Sequence, residues 1–310
     1  MASQLVLGAG LIGGTVARRL AARGDQVTLG TRRGSTVPGA TALKIDASNP
    51  AAVTQAARGA DTIFVCTNPP YTDWATDWPP IFDAVITAAR DSGAALVLMG
   101  NLYAYGPPAG PMTEHSQLAT SEKKGLVRKA GWEKALAAHE RGELRVTEVR
   151  ASDYFGPGAA GRSTHLGGSF FEPLLASKTA RVVGEPDLEH SWSFLPDIAT
   201  TLIAAADHTG EWGRAWHVPS TSLSRVEIAR QVNESWDVKG RVAPIPQWLL
   251  KALGTVIPIM REVSASSYQF RVPFVIDAME TQRMLGVSAT PWDEALRIAV
   301  NSYREPTSGK

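Results

Sequence analysis

The stretch Gln4-Leu-Val-Leu-Gly8-Ala-Gly10-Leu-Ile-Gly13-Gly14 decides the fold: a short apolar run enters a glycine-rich turn, and a helical pattern, Leu11 to Arg23, leaves it. In such a strand-turn-helix, Gly8 permits the tight turn, Gly10 lets backbone approach a pyrophosphate, and Gly13 lets helix pack on strand. The helix N-terminus, at Leu11 and Ile12, offers free N–H groups to the anion. One G-x-G-x-x-G alone says little. Here the required context is present, because a second strand, Gln26 to Thr31, follows the helix. The expectation is a dinucleotide site formed by Gly8, Gly10, Leu11, Ile12 and Gly13.

The end of that second strand selects between cofactors. A carboxylate about 20 residues past the glycines would accept hydrogen bonds from a ribose 2′-hydroxyl and signal NAD. This chain instead reads Gly30-Thr31-Arg32-Arg33. Thr31 can donate a hydroxyl, and two guanidinium groups can clamp a 2′-phosphate through charge-assisted bonds, so NADP(H) is expected. The bland alternative is that Arg32 and Arg33 are solvated loop charges.

Composition narrows the class. The 310 residues exceed one average domain and suit one α/β core with an added lobe. Net charge is +1, with 31 basic and 30 acidic residues, so the basic footprint of a nucleic-acid binder is lacking. The single Cys66 excludes an internal disulfide framework and reads as a buried reduced thiol, which makes the cytoplasm the expected compartment. No basic, apolar leader and no window near ~18 apolar residues is seen, so neither export nor membrane insertion is expected. The expected partner is a small-molecule substrate, and the expected state a monomer or homodimer.

Apolar runs at Gln4–Leu7, Gln26–Thr31, Ala42–Ile45, Thr62–Cys66, Ala95–Met99 and Arg145–Arg150 alternate with helical patterns near 11–23, 50–57, 78–92 and 121–140. This βαβ series predicts an α/β fold, a Rossmann doubly wound parallel sheet. After Arg150, glycine and proline clusters interrupt the pattern before a helix at Asp197–Ala206 and a strand at Ala215–Val218. Residues 1–150 and 191–219 are therefore expected to form the NADP-binding core. Residues 151–190 and 220–310 are expected to form a smaller, mainly C-terminal substrate lobe, with helices near 223–236, 246–254 and 291–303.

Ligands bind at the carboxyl ends of strands in such folds, so the residues just after each strand carry the chemistry. Asp46 can accept from the adenine amino group, although Asp46 or Ser48 could equally cap the helix near Pro50. Thr67 and Asn68 can bond cofactor ribose or phosphate. Tyr71 and Trp74 lie beside them as candidate substrate contacts, and Trp78 sits close by; aromatics there serve packing as often as recognition.

Four further motifs come together along the chain: Tyr105-Gly106, Thr113-Glu114, Arg150-Ala-Ser-Asp-Tyr-Phe155-Gly156-Pro157-Gly158, and Phe194-Leu-Pro-Asp197-Ile-Ala199. With the glycine turn they resemble extended short-chain dehydrogenase/reductases of the NAD-dependent epimerase/dehydratase type, from Gln4 to roughly Trp236. The resemblance implies cofactor contacts at Ser152 and Phe155. It also implies a catalytic tyrosine with a lysine four residues later, and a strand-end hydroxyl. This chain departs from all three, with Asn101 at the hydroxyl position, Lys124 at or near the tyrosine position and Arg128 at the lysine position. In this it is similar to isoflavone-reductase-like and NmrA-like branches that lack the tyrosine.

Hydride transfer to a carbonyl builds oxyanion charge that needs a proton donor or fixed cation within reach. Lys124, Arg128, Asn101 and Tyr103 are the candidates. Lys124 and Arg128 share a helical face, and a lysine buried beside an arginine should have a lowered pKa and a catalytic or cofactor-contacting role. His165, His190 and Trp192, together with Tyr103, are further candidate substrate contacts. The six histidines show no metal-ligand spacing, and no nucleophile elbow or phosphate-binding Gly-Lys-Ser/Thr loop occurs. The principal reading is an NADP(H)-dependent oxidoreductase reducing a carbonyl, enone or imine of a moderately apolar molecule. The alternatives are an epimerase or dehydratase of the sugar type and a non-catalytic NADP-binding redox sensor.

Overall fold

Gln4 to Leu7 are all buried, three of them at 0 % exposure, which an edge strand could not achieve. Such a run belongs at the centre of a parallel sheet covered on both faces. The computed structural model describes residues 1–159, 164–256 and 258–304. In it, β1 (Ser3–Leu7) leads through α1 (Leu11–Ala22) to β2 (Gln26–Thr31) and β3 (Thr41–Lys44). There follow α2 (Pro50–Ala57), β4 (Thr62–Val65), α3 (Trp74–Ser92), β5 (Ala95–Asn101), a 3₁₀ turn at Tyr103–Tyr105, α4 (Lys123–Glu140) and β6 (Val146–Ala151).

The chain continues with β7 (Asp153–Phe155), α5 (Gly168–Leu175), β8 (Thr179–Val182), β9 (His190–Phe194), α6 (Leu195–Asp207), β10 (Arg214–His217) and β11 (Thr221–Leu223). Next come α7 (Arg225–Trp236), β12 (Arg241–Pro244), α8 (Gln247–Val256), α9 (Pro258–Ser266), a 3₁₀ turn at Ser267–Phe270, α10 (Met279–Leu285) and α11 (Trp292–Arg304).

The seven-stranded sheet runs β10-β6-β5-β4-β1-β2-β3, and all its pairings are parallel. Strand order reverses between β1 and β4, and α1 and α6 cover one face while α2, α3 and α4 cover the other. This is the expected Rossmann fold, with the switch point at the carboxyl ends of β1 and β4. No helix joins β2 to β3; the loop from Arg32 to Ala40 makes that crossover and leaves the two arginines at the rim. A smaller lobe carries a three-stranded sheet, β11-β9-β7, and a two-stranded sheet, β12-β8, around Phe170, Phe171, Trp192 and Phe270.

Differences from the sequence reading have local causes. Helix α3 begins at Trp74, one turn before the expected 78, because Pro79 and Pro80 sit inside its first two turns and need not start it. Residues 191–194, grouped with the core on sequence, form β9 of the small sheet, whereas α6 and β10 return to the large one. The lobe strands escaped notice because they are short, three to five residues each, too few for a period of two to stand out; β9, His-Ser-Trp-Ser-Phe, is moreover buried at every position.

The glycine turn is constrained on two sides. Gly8 has φ +105°, and a Cβ there would lie 2.7 Å from the Thr67 amide nitrogen. A Cβ on Gly13 would lie 2.0 Å from the Gly8 carbonyl oxygen and 2.8 Å from the Cys66 Cβ. Gly13→Ala is expected to destabilise the fold by about 1–3 kcal/mol, the range for overpacking a tight contact. Thermal unfolding followed by circular dichroism measures it, and an unchanged midpoint would mean that helix and turn separate freely.

Candidate active site

Two contiguous cavities open at the carboxyl ends of the strands, and both are lined by Gly10, Cys66, Thr67 and Asn68. The outer, of ≈ 520 Å³, runs over Gly8 and Gly10 to Thr31, Arg32, Arg33 and Asp46. The inner, of ≈ 310 Å³, is lined by Leu11, Ile12, Asn101, Tyr103, Arg128 and Ser152, and by Tyr71, Trp74 and Trp78.

The outer cavity suits a dinucleotide. Gly10 precedes α1 without any side-chain cap, so the first amides of the helix keep their hydrogen-bonding capacity for an anion. A Cβ at Gly10 would meet nothing within 4 Å, so this glycine leaves open space where a ligand can approach. Arg32 and Arg33 are exposed at the far rim, and no carboxylate stands at the end of β2. Thr31 Oγ1 accepts from the Ser35 amide at 2.8 Å, which fixes the loop that carries the arginines. Asp46 does not cap α2; Asn49 does, accepting from the Ala52 amide at 3.1 Å. Asp46 instead accepts from the Ser48 amide and hydroxyl, which with Arg32 hold its carboxyl below the usual range and leave it ionised in the cavity wall. Burial pushes the Cys66 thiol up to about 12, so it is an inert part of the floor.

Three hydroxyls form a chain that starts at the inner cavity with Tyr103 and Tyr71 and ends behind its lining at Ser266. The Tyr71 hydroxyl donates to the Tyr103 hydroxyl at 3.0 Å and lies 2.9 Å from Ser266 Oγ. Burial first, then the neighbouring Tyr71 and Asp153, raise the Tyr103 phenol well above its ordinary value. Asn101 Oδ1 accepts from the Tyr103 amide at 3.1 Å and so holds the turn that presents this tyrosine. Trp74 closes the wall, its indole N–H donating to the Pro69 carbonyl at 3.2 Å.

Arg128 is 3 % exposed, with its guanidinium 4.3 Å from the centre of the Trp78 ring. It donates to the Met99 carbonyl at 2.5 Å and lies 3.5 Å from Glu148 Oε1. Glu148 also accepts from Arg150 Nε at 2.7 Å; Arg150 in turn donates to the Tyr105 hydroxyl, 2.7 Å from His217 Nε2. Burial lowers the Arg128 pKa, but an arginine starts so high that it remains a fixed cation. Glu148, Asp153 and Gln269 were not singled out on sequence. Glu148 had a signal, since Glu148 and Arg150 are opposite charges two apart on a strand and face the same way. Gln269 comes from a stretch without periodicity and had none.

Lys124 departs from expectation. It is buried on the same helical face as Arg128, yet it does not line either cavity. Its ammonium pairs with Glu122 at 3.0 Å and Glu262 at 2.5 Å, and lies 4.7 Å from the centre of the Tyr71 ring. Burial pulls its pKa down, but Glu262, Tyr71 and Glu122 outweigh that and raise it, the reverse of the expected lowering. The lysine is a clasp between α4 and α9. Lys124→Ala takes this partner from Glu262 and one partner from Glu122, which still caps α4, and is expected to destabilise by about 1–3 kcal/mol, read by denaturant unfolding. Because the folded pKa is the higher one, this stabilisation is complete at neutral pH and is lost only as pH rises past about 10.5. A wild-type stability curve that already falls between pH 7 and 9 in parallel with the loss of this difference would contradict it.

Several other candidates lie elsewhere. Phe155 packs on Phe194 and Trp292 in the lobe core, away from both cavities. Trp192 is 1 % exposed and donates to the Leu223 carbonyl. His165 lies against Phe270, and burial pushes its pKa down to about 4. His190 stacks on Phe270 and Phe274 but reaches the inner cavity through Asp153, whose Oδ2 is 2.8 Å from His190 Nε2. Ser152 lines the cavity, its amide donating to Ser193 Oγ at 3.0 Å. Among the described residues no group of three or more His, Cys, Asp or Glu could hold a metal ion, and no helix is long and apolar enough to cross a membrane.

Known structures share this architecture. MoeE5, solved with UDP-glucuronic acid and NAD, is 18 % identical at a TM-score of 0.77, covering 98 % of this chain and 99 % of its own. The UDP-glucose 4-epimerase of Thermotoga maritima with UDP-glucose is 15 % identical at 0.78, covering 97 % and 98 %. A double mutant of DesIV, the dTDP-glucose 4,6-dehydratase of Streptomyces venezuelae, with NAD bound, is 19 % identical at 0.76, covering 98 % and 97 %. At such identities the likeness shows the fold. A comparison with curated proteins finds no match. Residues 4–218, however, match the NAD dependent epimerase/dehydratase family, the expected relationship, and with the glycine turn and the doubly wound sheet in place the chain belongs to that family.

Proposed function

We propose that this protein is an NADP(H)-dependent reductase acting on a carbonyl, enone or imine of a moderately apolar small molecule held in the inner cavity. The observation that carries this reading is the pairing of a phenol that stays protonated, Tyr103, with a fixed cation, Arg128, in an aromatic cavity whose lining includes no strong base. Gly8, Gly10 and Gly13 with the start of α1 would hold the pyrophosphate, and Arg32, Arg33 and Thr31 the 2′-phosphate. NADPH, when bound, supplies a hydride.

Tyr103 donates the proton to the developing oxyanion, and the Tyr71 and Ser266 hydroxyls stand behind it to return one. Arg128 stabilises the negative charge without giving up its own proton. Asn101 positions Tyr103 through the backbone, and Trp74, Trp78 and Tyr71 exclude water and accept an apolar body.

A second reading has a specific support: the family match and the sugar-nucleotide neighbours favour epimerase or dehydratase chemistry, in which the cofactor is oxidised and reduced within one cycle. That reaction begins by removing a hydroxyl proton. Tyr103, with its raised pKa, is a poor base for it, and Asp153, with its lowered one, is no better. The test is NADPH absorbance against a panel of ketones, aldehydes, enones and imines. Steady consumption supports reduction. Conversion of UDP-glucose without net consumption would replace it with the second reading, and binding without any conversion would replace it with a redox sensor.

A further inference from the structure

Asp153 faces the inner cavity from β7, and its side chain is 16 % exposed. Its Oδ2 takes the hydrogen bond of His190 Nε2 at 2.8 Å, and His190, 3 % exposed, is fixed between Phe270, Phe274 and Trp192. Among the described residues Oδ1 has no hydrogen-bond partner. Burial alone would raise the Asp153 carboxyl, but the His190 bond, then His165, His190 and Arg225 nearby, lower it, so the group is a carboxylate at neutral pH. These partners stand on the protein side: Arg225 donates to the Glu185 carbonyl and lies against Phe270, and none of the three lines the cavity.

The surrounding charges reinforce that sign. Towards α9, Lys124 is met by two carboxylates, Glu122 and Glu262, so the clasp beside Tyr71 is negative by one charge. Arg128 is the cation among the cavity-lining residues, and it is bonded to Met99 and faces Glu148. Tyr71, Tyr103 and Gln269 complete this end. Among the described residues Arg128 is the one cation of the cavity lining and its charge is shared with Glu148, so a polyanion placed here would still meet the Asp153 carboxylate, and both desolvation and like charge oppose that.

We infer that Asp153, positioned by His190, is a specificity-determining residue that binds a hydrogen-bond donor of the substrate, a protonated amine or a hydroxyl, and excludes nucleoside diphosphate sugars. This rests on the reading of the inner cavity as the substrate site. It sets this chain apart from its structural neighbours in what it admits rather than in how it folds. The lowered carboxyl suits recognition, since a weak base holds a donor without taking its proton.

Benzylamine, benzyl alcohol and benzoate share an aromatic body and differ in the group offered to Asp153. Their dissociation constants, with that of UDP-glucose, are measured by ligand-observed NMR on the full chain, with and without NADPH. Benzylamine is expected to bind at least about tenfold more tightly than benzoate, and UDP-glucose to bind no better than benzoate. Asp153→Asn should reduce the amine-over-benzoate ratio about tenfold while leaving NADPH affinity unchanged, and His190→Phe should reduce it less. The proposal is overturned if wild type prefers benzoate or UDP-glucose, or if a folded Asp153→Asn keeps the ratio. The wild-type ratio decides even if the variant does not fold. NADPH titration of the same samples tests the reductase reading separately, because the probe ratio is defined without cofactor.

Discussion

Replacing Arg32 and Arg33 together by alanine is expected to weaken NADPH binding by about 10²–10⁴-fold and to change NADH binding by less than about threefold. Each guanidinium would lose a charge-assisted contact to the 2′-phosphate, and such a bond contributes about 1.5–3 kcal/mol, where 1.4 kcal/mol is tenfold. Both side chains are exposed at the cavity rim, so removing them costs the fold little. The contrast between cofactors is therefore the informative quantity, and calorimetric titration of both onto the same preparations gives it. Equal losses for NADPH and NADH, or a wild-type preference for NADH, would return the chain to the cofactor seen with several of its structural neighbours.

Tyr103→Phe is expected to lower turnover by about 10²-fold or more, the scale of a general-acid contribution, with the KM for the carbonyl compound moved much less. The ring keeps its contacts with Tyr71 and Trp74, and only the phenol leaves. Lys124→Ala is the matched control. Its ammonium clasps α4 to α9 outside the cavity, so most of the wild-type turnover should survive at temperatures where the variant is folded. The opposite pattern, an active Tyr103→Phe and an inactive Lys124→Ala, would restore the lysine as the donor. Since Tyr103 titrates well above its ordinary value, wild-type turnover should not fall between pH 7 and 9 through loss of the donor proton. A downward limb in that window, abolished in Tyr103→Phe, would show that the phenol ionises more readily than its burial allows.

The sequence exposed the core because its signals are local. Gly8, Gly10 and Gly13 act within a single turn, and Thr31-Arg32-Arg33 lies at the end of its strand, so spacing alone brought Gly8, Gly10 and these three to one cavity wall. The strand-end logic also reached Thr67, Asn68, Asn101 and Tyr103. It failed where long-range partners decide. Lys124 beside Arg128 suggested like-charge repulsion, but Glu262, 138 residues away in sequence, reversed the sign. His190 and Asp153 meet only because β7 pairs with β9, which no short-range pattern announces. Phe155 and Trp192 were read for chemistry from their motifs, while the lobe needed their area for its core.

The most direct test of the reductase account follows the hydride itself. NADPH deuterated at the transferable position is incubated with whichever compound of the carbonyl panel consumes it, and the product is examined by mass spectrometry. The account predicts one deuterium in the product for each NADPH oxidised. Product carrying no deuterium, or substrate converted while the label stays on the cofactor and none is consumed, would contradict it.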